Sequence, residues 1–155
     1  MGSKDETRRS IARNKKARHL YHIIDTLECG ISLVGTEVKS LRAGRATIVD
    51  AFGVIKRGEL WLMKANIAEY SHGNINNHEP LRPRKLLVHK LEIERLNKRV
   101  REKGMTLVPT EIYFQGHLIK LEMALVQGKK LHDKRQVEKE RSAKRDMDRA
   151  MGRRR

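Results

Sequence analysis

Residues 54–63 read VIKRGELWLM, two short apolar runs on either side of the pair Arg57-Gly58. A polar residue followed by glycine between two such runs is typical of a tight β-hairpin. The arrangement returns in residues 112–125, where Gln115-Gly116 separates two further apolar runs. Hairpins repeated in so short a chain predict a small closed or partly closed barrel of antiparallel strands.

A further turn and two helices complete the prediction of secondary structure. The β-type runs 21–24 and 31–34 are predicted to be joined across Glu28-Cys29-Gly30. A short helix is predicted over 37–41, and a longer one, ended by glycine, over 90–103. For the short helix, Thr36 is the expected N-cap and Gly44 the expected stop.

The charge of the chain is concentrated at its two ends. The 155 residues include 35 Lys and Arg against 19 Asp and Glu, a formal net charge of +16. Residues 4–22 carry +5 of this charge and residues 129–155 carry +7. The length fits one domain, and so basic a protein is expected to bind nucleic acid. We therefore predict a basic N-terminal arm over 1–13, an RNA-binding barrel over 14–128 and a basic C-terminal tail over 129–155.

Localisation follows from what the composition lacks. No apolar run is long enough to span a bilayer, and the basic start lacks the apolar stretch of a secretory signal. Cys29 is the single cysteine, so no intrachain disulfide can form. These features predict a cytoplasmic protein without a membrane partner.

The tail is poor in residues that could build a core. Ala143, Met147, Ala150 and Met151 fall at i, i+4, i+7 and i+8, a weak apolar stripe on one helical face. This pattern is typical of a segment that becomes helical on a partner surface. The alternative is a solvated tail that only raises solubility.

Catalytic and metal chemistry have little support in the sequence. Neither Gly-x-Ser-x-Gly nor Gly-x-Gly-x-x-Gly occurs, and Gly128-Lys129-Lys130 lacks the Ser or Thr of a phosphate loop. One cysteine excludes thiolate-rich zinc sites, and the spacings of His19 and His22 and of His72 and His78 favour exposed histidines over ligands. We predict no enzyme activity, no cofactor and no metal.

RNA binding has better physical support. Phosphate contact needs Lys and Arg, and base stacking needs a flat side chain beside them. Candidates are His19 and Tyr21 beside Arg18, together with His132 in the tail. Aromatic residues within strands are more often core than stacking platforms; these are Tyr21, Trp61, Tyr113 and Phe114.

Seven motifs, in order and at compatible spacing, then resemble a known family. They are Asn14-Lys15-Lys16-Ala17-Arg18-His19-x-Tyr21-x-Ile23, Glu28-x-Gly30-Ile31, Gly35-Thr36-Glu37-Val38-Lys39-Ser40-Leu41-Arg42-Ala43-Gly44, Gly58-Glu59, Arg84-Lys85-Leu86-Leu87-x-His89, Gly104-x-Thr106-Leu107-Val108-Pro109 and Gly128-Lys129-Lys130-x-x-Asp133-Lys134-Arg135. Together they resemble the SmpB family, the SsrA-binding proteins of bacterial trans-translation.

The resemblance implies a fold and a set of partners. The fold would be mainly β, an antiparallel OB-like barrel with flanking helices and a basic C-terminal tail that is disordered or helical. The partners would be the tRNA-like domain of transfer-messenger RNA, the rRNA of the small ribosomal subunit and, indirectly through the alanyl form of that RNA, elongation factor Tu. The protein would act as a monomer that brings this RNA to ribosomes stalled on truncated messages.

The same resemblance implies which residues bind RNA. On the barrel they are Asn14, Lys15, Lys16, Arg18, His19, Glu28, Gly30, Lys39, Arg42, Arg84, Lys85 and Leu87. The carboxylate of Glu28 would accept hydrogen bonds from ribose hydroxyls or base amines. Without the resemblance, Glu28 would be interpreted as an exposed charge at a turn.

In the tail, the resemblance implies contact with the decoding centre of the ribosome. The residues are Lys129, Lys130, His132, Asp133, Lys134 and Arg135. A helical tail would occupy the empty mRNA path, with His132 stacking on a base and the basic residues meeting phosphates.

Two other functional classes stay open on the residues alone. The first is a ribosomal or general RNA-binding protein of the same barrel type, which would not prefer a tRNA-like domain over other structured RNA. The second is an RNA-processing enzyme, which would turn RNA over through a few titratable residues.

Overall fold

The computed structural model of the chain describes residues 8–72, 77–101, 105–128, 141–147 and 149. Within these residues, the helices of the N-terminal 128 residues are α1 (Lys16–Leu20), α2 (Gly35–Arg42) and α3 (Lys90–Val100). The strands are β1 (Arg8–Arg13), β2 (Tyr21–Ile31), β3 (Ala46–Thr47), β4 (Phe52–Lys56), β5 (Glu59–Met63), β6 (Asn66–Ile67), β7 (Arg84–Leu87), β8 (Met105–Gln115) and β9 (Leu118–Gly128). Residues 141–147 in the tail are also helical.

Most of these strands form one antiparallel sheet that closes on itself. Seven described strands follow the order β1-β8-β4-β5-β7-β2-β9, and β8 also pairs with β9. Six strands therefore form a ring, and β1 is added to β8 outside it. A separate two-stranded sheet joins β3 to β6. The predicted mainly-β, OB-like antiparallel architecture with flanking helices is confirmed.

The two hairpins predicted from glycine-containing turns are confirmed. Between β4 and β5, Arg57 has φ of 53° and Gly58 has φ of 74°. Positive φ at both central residues matches the right-handed twist of the strands on either side. Between β8 and β9, Gly116 supplies the positive φ of 60°.

One prediction about the first third of the chain is corrected. Glu28, Cys29 and Gly30 do not form a turn: they lie inside β2, opposite Glu122, Leu121 and Lys120 of β9. A long partner strand thus outweighs the local turn preference of glycine. Residues 8–13, predicted as part of a basic arm, form β1 and pair with β8. The three-part division of the chain otherwise stays a prediction.

The helix predictions are right in place and partly wrong in detail. Gly44, with φ of 72°, follows α2 as expected, but Val34 rather than Thr36 precedes the helix. The Thr36 hydroxyl lies 2.8 Å from Nδ1 of buried His78, so it contacts a neighbouring loop instead of capping the helix. Helix α3 ends at Val100, short of the predicted end at 103, and residues 102–104 lie outside the described part.

Side chains alternate between the inside of the ring and its outer face. On β5, Leu60 and Leu62 are buried, whereas their neighbours are only partly covered. Cys29 is buried in the same core, and burial raises the pKa of its thiol to about 12. A smaller apolar cluster on the outside holds α1 against the ring; it consists of Ala17, Val108, Ala124 and Val126.

A buried ion pair joins α2 to the ring. The side chains of Glu37 and Arg84 are both completely buried, and Arg84 Nη2 lies 2.5 Å from Glu37 Oε2. Glu37 also accepts hydrogen bonds from Arg82 (2.5 Å) and from the Val34 amide (2.9 Å). Arg84 additionally donates to the Ala65 carbonyl at 2.6 Å. With the charges of Glu37 and Arg84 paired inside the protein, this network is structural.

The network around Glu37 makes the free energy of unfolding depend on pH, in a direction that follows from the pKa of Glu37. Burial by itself would raise the pKa of Glu37, but hydrogen bonds from Arg82, Val34 and Arg84 outweigh burial and lower it. A carboxyl group whose pKa is lower in the folded than in the unfolded protein stabilises the folded state. This stabilisation is complete when the pH is above the unfolded pKa, and it is lost as the pH falls through the folded pKa. The free-energy advantage of the native chain over Glu37→Gln should therefore be full at pH 7 and shrink below about pH 4. Urea unfolding of both proteins between pH 7 and pH 3 would measure it, and a constant difference would contradict it.

Candidate nucleic-acid interface

The first group of predicted RNA-binding residues lies on and beside α1. Lys15, Lys16, Arg18 and His19 are exposed, because α1 packs on the ring through Ala17 alone. Arg18 and His19 fall in its last turn. The structure therefore brings these four side chains together on one projecting turn of helix, where they can meet phosphates.

Asn14 holds this helix against the ring and leaves one polar atom without a partner. Its amide Nδ2 donates to the Pro109 carbonyl at 3.1 Å, and its backbone amide donates to the Thr110 carbonyl at 2.8 Å. Its Oδ1 is buried and accepts no hydrogen bond from the described residues. An unsatisfied buried acceptor costs roughly 1–3 kcal/mol, so a donor from a bound ligand would be favourable here.

An open cavity of about 440 Å³ borders Asn14 and is lined by cationic side chains. Arg8, Arg13, Lys15 and Arg18 all contribute to its wall. Arg8 and Arg13 are held by the nearly buried Glu111, which accepts a hydrogen bond from Arg13 Nε at 2.9 Å and forms an ion pair with Arg8. Burial alone would raise the pKa of Glu111, but these hydrogen bonds lower it, so the carboxylate stays charged. Glu122 also lines the cavity, so four cationic side chains face two carboxylates, and the excess of positive charge favours an anionic ligand.

Glu28 lies on the outer face of β2 with half of its side chain exposed. Lys120 Nζ lies 2.6 Å from Glu28 Oε1, and the Tyr113 hydroxyl donates to Oε2 at 2.6 Å. Hydrogen bonds from Lys120 and then Tyr113 lower the pKa of Glu28. Burial, followed by the hydrogen bond to Glu28, raises the pKa of Tyr113, so the phenol keeps its proton and stays a donor. The carboxylate is held in one orientation, with lone pairs left for RNA donors.

The two groups are connected across the outer face. The guanidinium of Arg8 lies 3.8 Å from the centre of the Tyr113 ring, and Tyr113 holds Glu28. One chain of contacts therefore runs from the cationic cavity to Glu28.

Gly30, Lys85 and Leu87 extend this face across the next strand. Gly30 of β2 lies opposite Leu87 of β7, and a Cβ at Gly30 would lie 3.1 Å from the Cβ of Leu87. Leu87 is 55% exposed, and Lys85 is exposed beside it. Because Gly30 has no side chain, Leu87 has room on the outer face. A flat ligand could approach the surface there.

Three predicted residues do not join this surface. Arg84 is completely buried and paired with Glu37, so the prediction that it contacts RNA is corrected: its role is to hold α2. Lys39 and Arg42 lie on the exposed side of α2, where Lys39 stands 5.4 Å from the centre of the Tyr70 ring. No contact among the described residues links them to α1 or Glu28.

The predicted tail site lies outside the described residues. It comprises Lys129, Lys130, His132, Asp133, Lys134 and Arg135. Further along, residues 141–147 are helical and exposed throughout, and Met147 is 67% exposed. The apolar stripe predicted for the tail therefore has no protein core against it in this part.

Sequence reasoning missed several residues of the interface. Arg8, Arg13 and Glu111 come from strands whose pairing is not visible in the sequence. Tyr113 and Phe114 are buried, as predicted for aromatic residues in strands, but the Tyr113 hydroxyl donates a hydrogen bond to the half-exposed Glu28. Trp61 and Tyr21, also predicted as core, are only partly covered.

Metal ligation and membrane insertion are two other functions that the described residues bear on. Among the described residues, no group of three or more His, Cys, Asp or Glu is placed to hold a metal ion. In that same part of the chain, no helix has the length and apolar character needed to cross a membrane.

Comparison with known proteins assigns the chain to a family. The family model described as SmpB protein matches residues 11–153. The chain belongs to the SmpB family. The SsrA-binding protein of Acidothermus cellulolyticus is 57% identical over 152 residues, which cover 98% of this chain and 96% of that protein. The SsrA-binding protein of Thermobifida fusca is 55% identical over 147 residues, which cover 95% and 92%.

A solved structure agrees with this assignment. A chain from the work "tmRNA-SmpB: a journey to the center of the bacterial ribosome" is 48% identical in sequence and matches with a TM-score of 0.65. The match covers 77% of this chain and 84% of that chain. The resemblance to the SmpB family that the seven motifs indicated is confirmed.

Proposed function

We propose that this protein binds the tRNA-like domain of transfer-messenger RNA and delivers it to ribosomes stalled on truncated messages, as a factor of trans-translation. The observation that carries the proposal is the cationic cavity beside Asn14, whose Oδ1 is buried without a partner. The names of the relatives and of the structural neighbour support the same RNA and the ribosome.

The outer face has the chemistry that RNA recognition needs. Exposed cations on α1 and in the cavity meet phosphates, and such contacts position RNA without reading its sequence. Asn14 and Glu28 supply acceptors for ribose hydroxyls or base amines, the groups that distinguish one RNA surface from another. RNA binding without catalysis in the cytoplasm, as a monomer, completes the proposal. Small-subunit rRNA is the proposed partner of the tail, and elongation factor Tu stays an indirect, predicted partner.

Glu28→Ala is expected to weaken binding of the tRNA-like domain about tenfold or more, because a hydrogen bond to a charged group contributes roughly 1.5–3 kcal/mol. Loss of a negative charge would by itself strengthen binding to RNA, so a weaker complex can only reflect lost acceptor contacts. Fluorescence anisotropy of the labelled RNA, titrated with protein, measures the affinity.

Two further variants make this test specific. Glu94→Ala removes the same charge from an exposed position on α3 and should leave the affinity unchanged. Tyr113→Phe keeps the carboxylate but removes its 2.6 Å donor, and should cause a smaller, several-fold loss. An unchanged affinity of Glu28→Ala would refute the site. Equal competition by unrelated structured RNA would favour a general RNA-binding protein instead.

A further inference from the structure

An open groove of about 660 Å³ lies on the outer face of the β4–β5 hairpin, apart from the cationic cavity. Its volume falls within the range of about 300–1,000 Å³ that is usual for ligand pockets. Much of its wall is apolar and comes from Val54, Trp61, Met63 and Pro83.

The alternation of side chains along β5 brings Trp61 to this surface. Leu60 and Leu62 are buried inside the ring, so Trp61 between them must face outward. On the outer face Trp61 lies opposite Val54 of β4 and opposite Lys85 of β7. Its side chain stays partly exposed, and no ring or cation contact to it is found among the described residues.

The charges around this indole select the kind of ligand. Lys56 and Arg57 line the groove, and neither has a salt-bridge partner in the described part of the chain. Glu59 is the one acidic side chain of its lining, and Lys85 Nζ already lies 3.4 Å from it. The groove therefore combines a flat apolar surface with two cations and one carboxylate, an excess of positive charge that fits a ligand that is both flat and anionic.

We propose that this groove binds an unpaired nucleotide of single-stranded RNA, with the base stacked on Trp61 and its phosphates beside Lys56 and Arg57. Aromatic side chains next to cations are the usual platform for unpaired bases, because every base has a face that can stack. An apolar protein segment would fill the groove but leave both cations without a partner. The proposal does not rest on the proposed function, because it requires neither the tRNA-like domain nor the ribosome.

Trp61 is the single tryptophan of the chain, so fluorescence excited at wavelengths that the three tyrosines do not absorb reports on this groove. The full-length protein is titrated with octa-adenylate RNA and, in parallel, with an abasic ribose-phosphate octamer of equal charge. Stacking predicts that the adenine-containing octamer quenches the fluorescence and that the abasic octamer does not. Glu28→Ala should keep this quenching, so the groove and the proposed tRNA-like site can fail separately.

Charge-matched variants then test the two cations. Lys56→Gln combined with Arg57→Asn should weaken the quenching interaction about tenfold; Asn is used because it tolerates the positive φ at position 57. Lys98→Gln combined with Arg101→Gln removes the same charge at the C-terminal end of α3. This control should change the affinity measured by quenching less than twofold. Thermal unfolding checks that each variant is folded. Absence of quenching, equal quenching by the abasic octamer, or quenching by a leucine-rich peptide alone would overturn the proposal.

Discussion

Glu37→Ala is expected to lower the free energy of unfolding by about 3–5 kcal/mol, because it leaves Arg84 as a buried charge without its partner. Both side chains are completely buried at 2.5 Å from each other, so water cannot replace the lost carboxylate. The variant also loses the acceptor of the Val34 amide at the start of α2. Urea unfolding at pH 7 measures the loss.

A double variant separates the cost of an unpaired charge from the value of the pair. Glu37→Leu combined with Arg84→Met removes both charges, and replacing a buried pair by apolar residues is often neutral. The double variant should therefore be more stable than Glu37→Ala. Glu94→Ala, an exposed control, should change stability by less than about 0.5 kcal/mol. A loss in Glu37→Ala as small as that of the control would contradict the structural role assigned to the network.

The ion-pair network also shows why a motif that resembles a family can include residues that do not lie at the binding surface. Arg84 stands in the basic stretch Arg84-Lys85-Leu86-Leu87, and in sequence it cannot be told from its exposed neighbour Lys85. In the folded protein, strand alternation turns Arg84 and Leu86 inward and Lys85 and Leu87 outward. Its partner Glu37 lies 47 positions away. Only the arrangement of α2 against β7 decides which cation is structural.

Local chemistry predicted the parts of the fold that depend on neighbours in sequence. The β4–β5 and β8–β9 hairpins need positive φ at Gly58 and Gly116, and glycine in these turns predicts them directly. The continuous strand β2 could not be predicted in this way. It is continuous because β9 pairs along it from Tyr21 to Gly30, and this long-range pairing outweighs the turn preference of Gly30.

The residues of the candidate site also divide into those that local sequence predicts and those that depend on long-range strand pairing. Lys15, Lys16, Arg18 and His19 are consecutive or nearly so, and the sequence alone places them together. Arg8, Glu111 and Tyr113 were missed because they act through contacts between β1, β8 and β2. A buried tyrosine whose hydroxyl orients an exposed carboxylate has no signature in composition or periodicity.

Truncation after Gly128 is expected to abolish peptide tagging on stalled ribosomes while the tRNA-like domain still binds. Gly128 is the last residue of β9, so the cut leaves every described strand of the ring in place. It removes the proposed decoding-centre residues, which lie between 129 and 135, and the helical segment 141–147. Tagging by a reconstituted translation system on a truncated message measures the activity, and anisotropy measures RNA binding. Full tagging by the truncated protein would refute the proposed role of the tail.

Because the tail carries +7 of the net charge, its shape must be tested apart from its charge. Arg145→Pro removes the backbone donor inside the helix and costs about 3 kcal/mol of helix stability, while Arg145→Gln loses the same charge but keeps the helix. If a helix fills the empty mRNA path, the proline variant should lose most of its tagging and the glutamine variant little.

Equal activity of the two variants would mean that the tail acts as a flexible cation, and the helix would then have no part in the mechanism. The exposed stripe argues for the first result. Met147, at 67% exposure, contributes nothing to the ring, and it shares one face of the exposed helix with Ala143. We propose that the ribosome is the partner that covers this face, and the pair of variants tests that proposal.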